Sequence, residues 1–172
     1  MKKPSPIRCV MCDNPNPIVG ERIVYKYKDC GLDNVVVHGV EYHRCPQCGE
    51  EYYGFGNLKK LHEVIAEAII SKSSTINGKE FRFLRTHLGY SGAMFAKLLK
   101  LDPKTIARYE SEESPIPKVT DLVMRALVSA KTPDRHYDLH DFMVSKDEKK
   151  SKKASSIELW QKENSWSFSR AS

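Results

Sequence analysis

The sequence predicts two small domains, a metal-stapled β-hairpin sheet followed by an all-α domain with helix-turn-helix spacing. Two Cys-x-x-Cys pairs, Cys9/Cys12 and Cys45/Cys48, bracket a strand-rich first third. The polar stretch Ser71-Lys72-Ser73-Ser74-Thr75 marks the clearest boundary in the chain. Beyond it, capping residues and apolar positions at helical spacing mark four short helices. A length of 172 residues, 40% hydrophobic and 29% charged, accommodates two such domains and some unstructured chain. The predicted divisions are 1–56 for the zinc-ribbon sheet domain, 57–75 for a connecting helix and linker, 76–131 for the helical domain and 132–172 for a tail.

In the first third, residues 22–27 and 34–38 are β-branched and aromatic runs separated by turn-forming residues, and 50–53 supplies a third short strand. Large aliphatic residues are few here, so the segment is expected to lack a self-sufficient core and to need a staple. A helix starts near Asn57, with Leu58, Leu61, Val64, Ile65, Ala68 and Ile69 on one stripe. The linker at 71–75 is expected to separate its core from the next.

The first helix after the linker carries a full start signal: Asn77 as N-cap, Glu80 three residues on, and Ile76 with Phe81 as a hydrophobic staple. Gly89 stops it. Ser91 caps the second helix, with Phe95, Leu98 and Leu99 expected inside. Asp102-Pro103 opens the third, an N-cap followed by proline at the first helical position. Pro117 opens the fourth, where Val119, Leu122, Val123, Ala126 and Leu127 are expected to form an apolar face. From about Thr132 the periodicity fades, and residues 146–156 read as disordered. Trp160, Trp166 and Phe168 are unusual for inert disorder. The end of the tail folds on a partner, docks on the protein's own surface or stays disordered, and the last two readings are favoured.

The metal argument rests on ligand chemistry. Two residues between cysteines allow a tight turn to aim both sulfurs at one ion, with backbone N–H groups directed at the thiolates. Two such knuckles supply the closed tetrahedral set of four thiolates that structural zinc takes. The alternatives are redox thiols and an iron–sulfur cluster. Two pairs framing a segment too small for its own core favour zinc, one ion per chain. Cys30 has no nearby cysteine partner, and His38 and His43 fall on strands as cross-strand residues, so none is expected to be a ligand. A closed four-sulfur site has no open position for an activated water, which argues against catalysis, and no nucleophile–base grouping or phosphate loop is visible.

Charge adds direction. Residues 1–58 hold seven Lys/Arg and seven Asp/Glu, whereas residues 59–130 hold twelve and eight, within a net charge of +6. Four of the six surplus charges therefore lie on the helices, and residues 131–172 hold the other two. Residues 91–100 and 101–110 have the layout of a helix-turn-helix, whose second helix enters a major groove. Lys104 and Arg108, four residues apart, share a face with Thr105 beside them, while Ile106 and Tyr109 face inward. Arg108 suits a guanine edge, Lys104 a base or phosphate, and the Gly92, Ala93 and Lys104 N–H groups a phosphate. Helix patterning alone leaves DNA reading and a plain solvated basic face equally open.

The order of parts resembles the MqsA-type (YgiT-type zinc finger) antitoxins. The residues that carry the resemblance are the two cysteine knuckles, the latter as Cys45-Pro46-Gln47-Cys48-Gly49, then the connecting helix and Lys79-Glu80-Phe81-Arg82-Phe83-Leu84-Arg85. Phe95-Ala96-Lys97-Leu98-Leu99 and residues 102–110 continue it, so that it spans about Ile7 to Lys131. The resemblance implies a zinc domain that binds a protein toxin encoded nearby, an RNA-cleaving enzyme in the best-known members. It also implies a Cro/C1-type domain that dimerises and binds a palindromic operator in double-stranded DNA. By position, Cys9, Cys12, Cys45 and Cys48 match the zinc ligands, and Lys104 and Arg108 the base-facing positions of the recognition helix; Ser91 and Thr105 complete the set of residues expected to bind DNA. Three residues depart from the pattern: Gly92 stands where Gln is common, Met94 replaces an acidic residue, and Lys100 replaces the turn glycine.

The expected function is a type II antitoxin and autorepressor, homodimeric and without enzymatic activity. The alternative is a stand-alone zinc-containing regulator with no toxin partner. Met1–Pro6 carries charge with no apolar run behind it, unlike a secretory signal, and no apolar stretch is long enough to span a bilayer. A cytoplasmic setting without membrane contact follows as an expectation.

Overall fold

The computed structural model describes residues 4–12, 14–131, 156–162 and 165–170. It has a mixed β-sheet region carrying the cysteine cluster, followed by a bundle of five helices. The elements are β1 (Glu21–Lys26), β2 (Val35–Arg44), β3 (Glu51–Gly54), α1 (Leu58–Ile70), α2 (Gly78–His87), α3 (Gly92–Leu99), α4 (Pro103–Glu110), α5 (Lys118–Lys131), β4 (Ile157–Lys162) and β5 (Ser165–Arg170).

β2 is the organising strand. It is longer than the β-branched run at 34–38 suggested, because Gly39 at φ 81° lets the strand continue through a bulge opposite Ile23/Val24. One edge of β2 pairs with β1. Its other edge is shared end to end: residues 41–44 pair antiparallel with β3, and Val35–His38 pair parallel with β4. β5 then pairs with β4, giving five strands in one sheet. The end of the tail therefore docks on the protein's own sheet, one of the alternatives left open by its aromatic residues. The expectation of disorder at 146–155 lies outside the described residues.

This hairpin supplies apolar residues that the first third lacks for a core of its own. Ile157, Leu159 and Trp166 join Tyr27, Leu32, Val35, Val37 and Val40 under the Leu61, Ile65 and Ile69 stripe of α1. Leu58, placed on that stripe from the spacing, is 48% exposed. The same cluster continues into the helices through Ile76, Phe81, Leu84, Phe95, Ile106 and Met124, so sheet and bundle share one apolar core. The 71–75 stretch does not separate two cores. It is pinned by Arg125 of α5, whose buried guanidinium donates to the carbonyls of Ile70 (2.6 Å), Lys72 (2.8 Å) and Ser74 (2.8 Å).

Helix starts follow the sequence signals. Asn77 and Glu80 form a reciprocal capping box, and Ser91 and Asp102 each accept from their helix's first turn. Gly89 at φ 86° ends α2 with its N–H on the Thr86 carbonyl. Two faces differ from expectation. Leu98 is 48% exposed, because on the short helix α3 only Phe95 and Ala96 become fully buried. On α5 the buried stripe is Asp121, Met124, Arg125 and Val128, an ion pair included, whereas Val119 is 71% exposed. Leu122, Val123 and Ala126 are half-buried, and of the five expected residues Leu127 packs on the core.

Candidate metal centre and nucleic-acid interface

The metal centre is built from two loops on one edge of the molecule. The first is tied down by the Ile7–Ile18 bridge, the second by Cys45 N–H to the Glu50 carbonyl (2.8 Å) and Gly49 N–H to the Cys45 carbonyl (2.9 Å). Gly49 sits at φ 79°, the left-handed geometry that closes the second knuckle. The result brings Cys9, Cys12, Cys45 and Cys48 together, with all four sulfurs within 4.8 Å of one another. Cys9–Cys12, Cys9–Cys48 and Cys12–Cys45 are each 3.6 Å apart. Zn–S bonds of about 2.3 Å in a tetrahedron require sulfur separations of roughly 3.8 Å, so the cage has the size of zinc. The donor set is consistent with a single structural zinc site per chain.

Neighbouring dipoles prepare the sulfurs for a cation. The Tyr52 hydroxyl, 3.2 Å from Cys9 Sγ, leads the Met11 and Cys12 N–H groups in pushing the Cys9 thiol down to about 6. Cys45 is lowered chiefly by the Cys48 N–H, and Asn14 Nδ2 lies 3.8 Å from its sulfur. Burial, with the neighbouring sulfurs, pushes Cys12 up to about 12. The first cysteine of each knuckle thus receives backbone N–H groups, as the spacing implied. The sequence does not place Tyr52 at the metal site, because its contact with Cys9 arises only when β3 pairs with β2. Cys30 lies elsewhere, its thiol 3.4 Å from the Tyr27 carbonyl. His38 meets Glu158 at 2.5 Å and stacks on Trp160, and His43 contacts the Ser5 carbonyl at 3.0 Å.

A second small cluster, Cys9, Ile18 and Cys45 with Ile7, Cys12 and Tyr52 around it, packs apart from the main core. Zinc held by these thiolates would therefore support this cluster directly and the large sheet only at its edge.

The helical region presents α3 and α4 joined at Lys100. This residue is left-handed, φ 54° and ψ 39°, so the departure from the turn glycine leaves the turn in place with a strained lysine in it. Lys100→Gly is expected to stabilise the protein by up to about 1 kcal/mol, the approximate strain of a side chain in that region less the entropy glycine adds to the unfolded chain. A chemical-denaturation midpoint that falls on substitution would contradict this reading.

α4 is held rigidly from behind. Arg85, 7% exposed, donates to Glu110 of α4 (2.5 Å) and to the Tyr90 carbonyl (2.6 Å). Gly78 at the start of α2 faces α4 so closely that an added Cβ would meet the Tyr109 carbonyl oxygen at 2.5 Å. Ile106 and Tyr109 are buried, while Lys104, Ala107 and Arg108 are exposed and Thr105 is half-buried. Lys97, Lys100, Lys104 and Arg108 form no ion pair among the described residues. Ser91 is exposed, with its hydroxyl accepting from Met94 N–H at 3.2 Å. One expected phosphate donor is already engaged: the Lys104 N–H donates to Asp102 Oδ1 at 2.7 Å.

The fold and site define a class: a zinc-binding module next to a helical bundle, an arrangement consistent with a DNA-binding or regulatory role. Compared with protein-family models, curated proteins and solved structures, the chain has no match. Among the described residues, no helix is long and apolar enough to cross a membrane.

Proposed function

We propose that the chain is a sequence-specific DNA-binding regulator of the antitoxin–autorepressor kind, with α4 as its recognition helix. The observation that carries this is α4 itself, a helix clamped from behind by buried Arg85 on Glu110 while Lys104 and Arg108 stand exposed and without ion pairs among the described residues. Rigid presentation suits base reading, because a guanidinium fork must meet guanine N7 and O6 together. Ser91, Thr105 and Lys104 flank it as phosphate or base contacts. Val119, Leu122, Val123 and Ala126 recur at helical spacing on α5 and remain exposed or half-buried. This supports a two-fold dimer reading both halves of a palindrome. The closed four-thiolate set supports a non-enzymatic role in a reducing cytoplasm.

Arg108→Ala is expected to cost about 1–3 kcal/mol of operator affinity and to relax specificity at one base position. Lys104→Ala, for a phosphate contact, should weaken all sequences alike and lower the salt slope by about one unit per half-site. Retained operator binding by the double variant in a gel-shift titration would reduce the face to a solvated surface.

Antitoxin activity is supported by the order of motifs, and co-expression with the neighbouring gene product tests it: the full chain should rescue growth. A stand-alone regulator is the second reading. It is favoured by the β4–β5 hairpin, which already occupies the β2 edge that a partner strand would otherwise take. Failure of rescue would select it.

A further inference from the structure

Between the start of α1, the end of α2 and the end of α5 lies a cleft of about 330 Å³, lined by Lys59, His62, Glu63, Thr86, His87 and Lys131. Neither the metal centre nor the α3–α4 face uses any of these residues. Two lysines and two imidazoles from three helices converge here, joined by one hydroxyl and opposed by one carboxylate. We propose that this cleft is a binding site for a small ligand bearing an oxyanion, a phosphate or carboxylate group.

Three features carry the inference. First, Lys59 and Lys60 occupy the first turn of α1, where no acidic residue is present. Cations at the positive end of a helix dipole cost stability, so Lys59 is placed against the interest of its own helix. Both the dipole and the ammonium group attract an anion there. Second, the cleft is framed in advance. Lys131 Nζ donates to the His87 carbonyl at 3.0 Å, and the Tyr27 hydroxyl lies 2.9 Å from His62 Nε2. Phe83 stands between the two imidazoles, stacked with His87 (10° between planes) and edge-on to His62. Third, the histidines are poised to respond. Burial lowers both, and Lys131 and His62 lower His87 further, against an opposing pull from Glu63. A bound oxyanion favours the protonated imidazoles and gains donors as they charge.

The site sits directly after Arg85, the residue that clamps α4, but its test needs no DNA and stands apart from the DNA-binding reading. The zinc-loaded full chain is titrated with inorganic phosphate and, separately, with succinate, against chloride at constant ionic strength. NMR follows the His62 and His87 ring signals, with Lys59, Glu63, Lys131 and Tyr27 as the facing groups. At least one anion is expected to saturate these signals and to raise the His87 titration midpoint. Lys59→Gln with Lys131→Gln should weaken binding about tenfold or more, and Glu63→Gln should tighten it several-fold, as expected for charge-assisted contacts. All three positions line the cleft rather than the core, so native zinc content and helicity serve as the folding check. Binding of one anion alone assigns the ligand's acid group. No saturable shift with either anion, or an equal shift in the double-glutamine variant, overturns the site.

Discussion

Stripping zinc from the intact chain, or replacing Cys45 with serine, should melt the two knuckle loops and leave the helices and most of the sheet folded. Structural zinc contributes on the order of 10–16 kcal/mol of apparent free energy, and here that energy serves a local cluster. Cys9, Ile18 and Cys45 pack with Ile7, Cys12 and Tyr52 and are separate from the main core. The sheet beyond them is held by α1 and the β4–β5 hairpin. Protection from hydrogen exchange should therefore be lost near residues 5–12, 14–18 and 45–52, with far-ultraviolet helicity preserved. Complete loss of helicity on chelation would show that the knuckles support the whole fold. Loading should also depend on pH with a defined sign. The metal needs four thiolates, and the metal-free Cys12 thiol is pushed up to about 12, so zinc must displace its proton. Affinity should fall as pH falls, and loading in weak buffer should release protons.

Arg125→Ala should cost about 3–5 kcal/mol, the range for removing one partner of a buried ion pair. Arg125 is 1% exposed and donates to both Asp121 carboxylate oxygens (2.9 and 3.3 Å) and to the Ile70, Lys72 and Ser74 carbonyls of the α1–α2 connection. Its removal strands the Asp121 carboxylate and the Ile70 carbonyl in a buried site and leaves the part-buried Lys72 and Ser74 carbonyls without this donor. Arg125→Lys should recover little, since an ammonium cannot span acceptors that a planar fork reaches together. The readout is the denaturation midpoint, with a second check in whether sheet and bundle still unfold in one transition. A loss below about 1 kcal/mol, typical of surface pairs, would mean the connection is held by other contacts.

Local chemistry was legible because it is encoded within a few residues. The cysteine spacing led to the four-sulfur cage. Asn77 with Glu80, Ser91, Gly89 and Asp102-Pro103 each set a helix end through hydrogen bonds or backbone angles confined to one turn. Ile106 and Tyr109 against Lys104 and Arg108 separated the buried from the exposed face of α4 by periodicity alone. Where burial depended on a distant neighbour, periodicity misled. Leu98 and Val119 match a helical stripe but have no element to pack against among the described residues. Asp121 and Arg125, charged residues outside the expected apolar face of α5, are buried because their partners are each other and a backbone more than fifty residues away.

Sequence alone determined the parts: which residues gather around a metal, where the helices begin, and which helix carries exposed cations. Those features depend on covalent spacing and single-turn hydrogen bonding. Tertiary structure decided how the parts join. The apolar residues of the first third were too few for a core on their own, and the shortfall is met from the far end of the chain by Ile157, Leu159 and Trp166, brought in through parallel pairing on β2. A polar stretch that looked like a free linker is fixed because its carbonyls, rather than its side chains, satisfy a buried guanidinium. Backbone acceptors leave no mark in a sequence, and pairing across more than a hundred residues has no periodicity to reveal it.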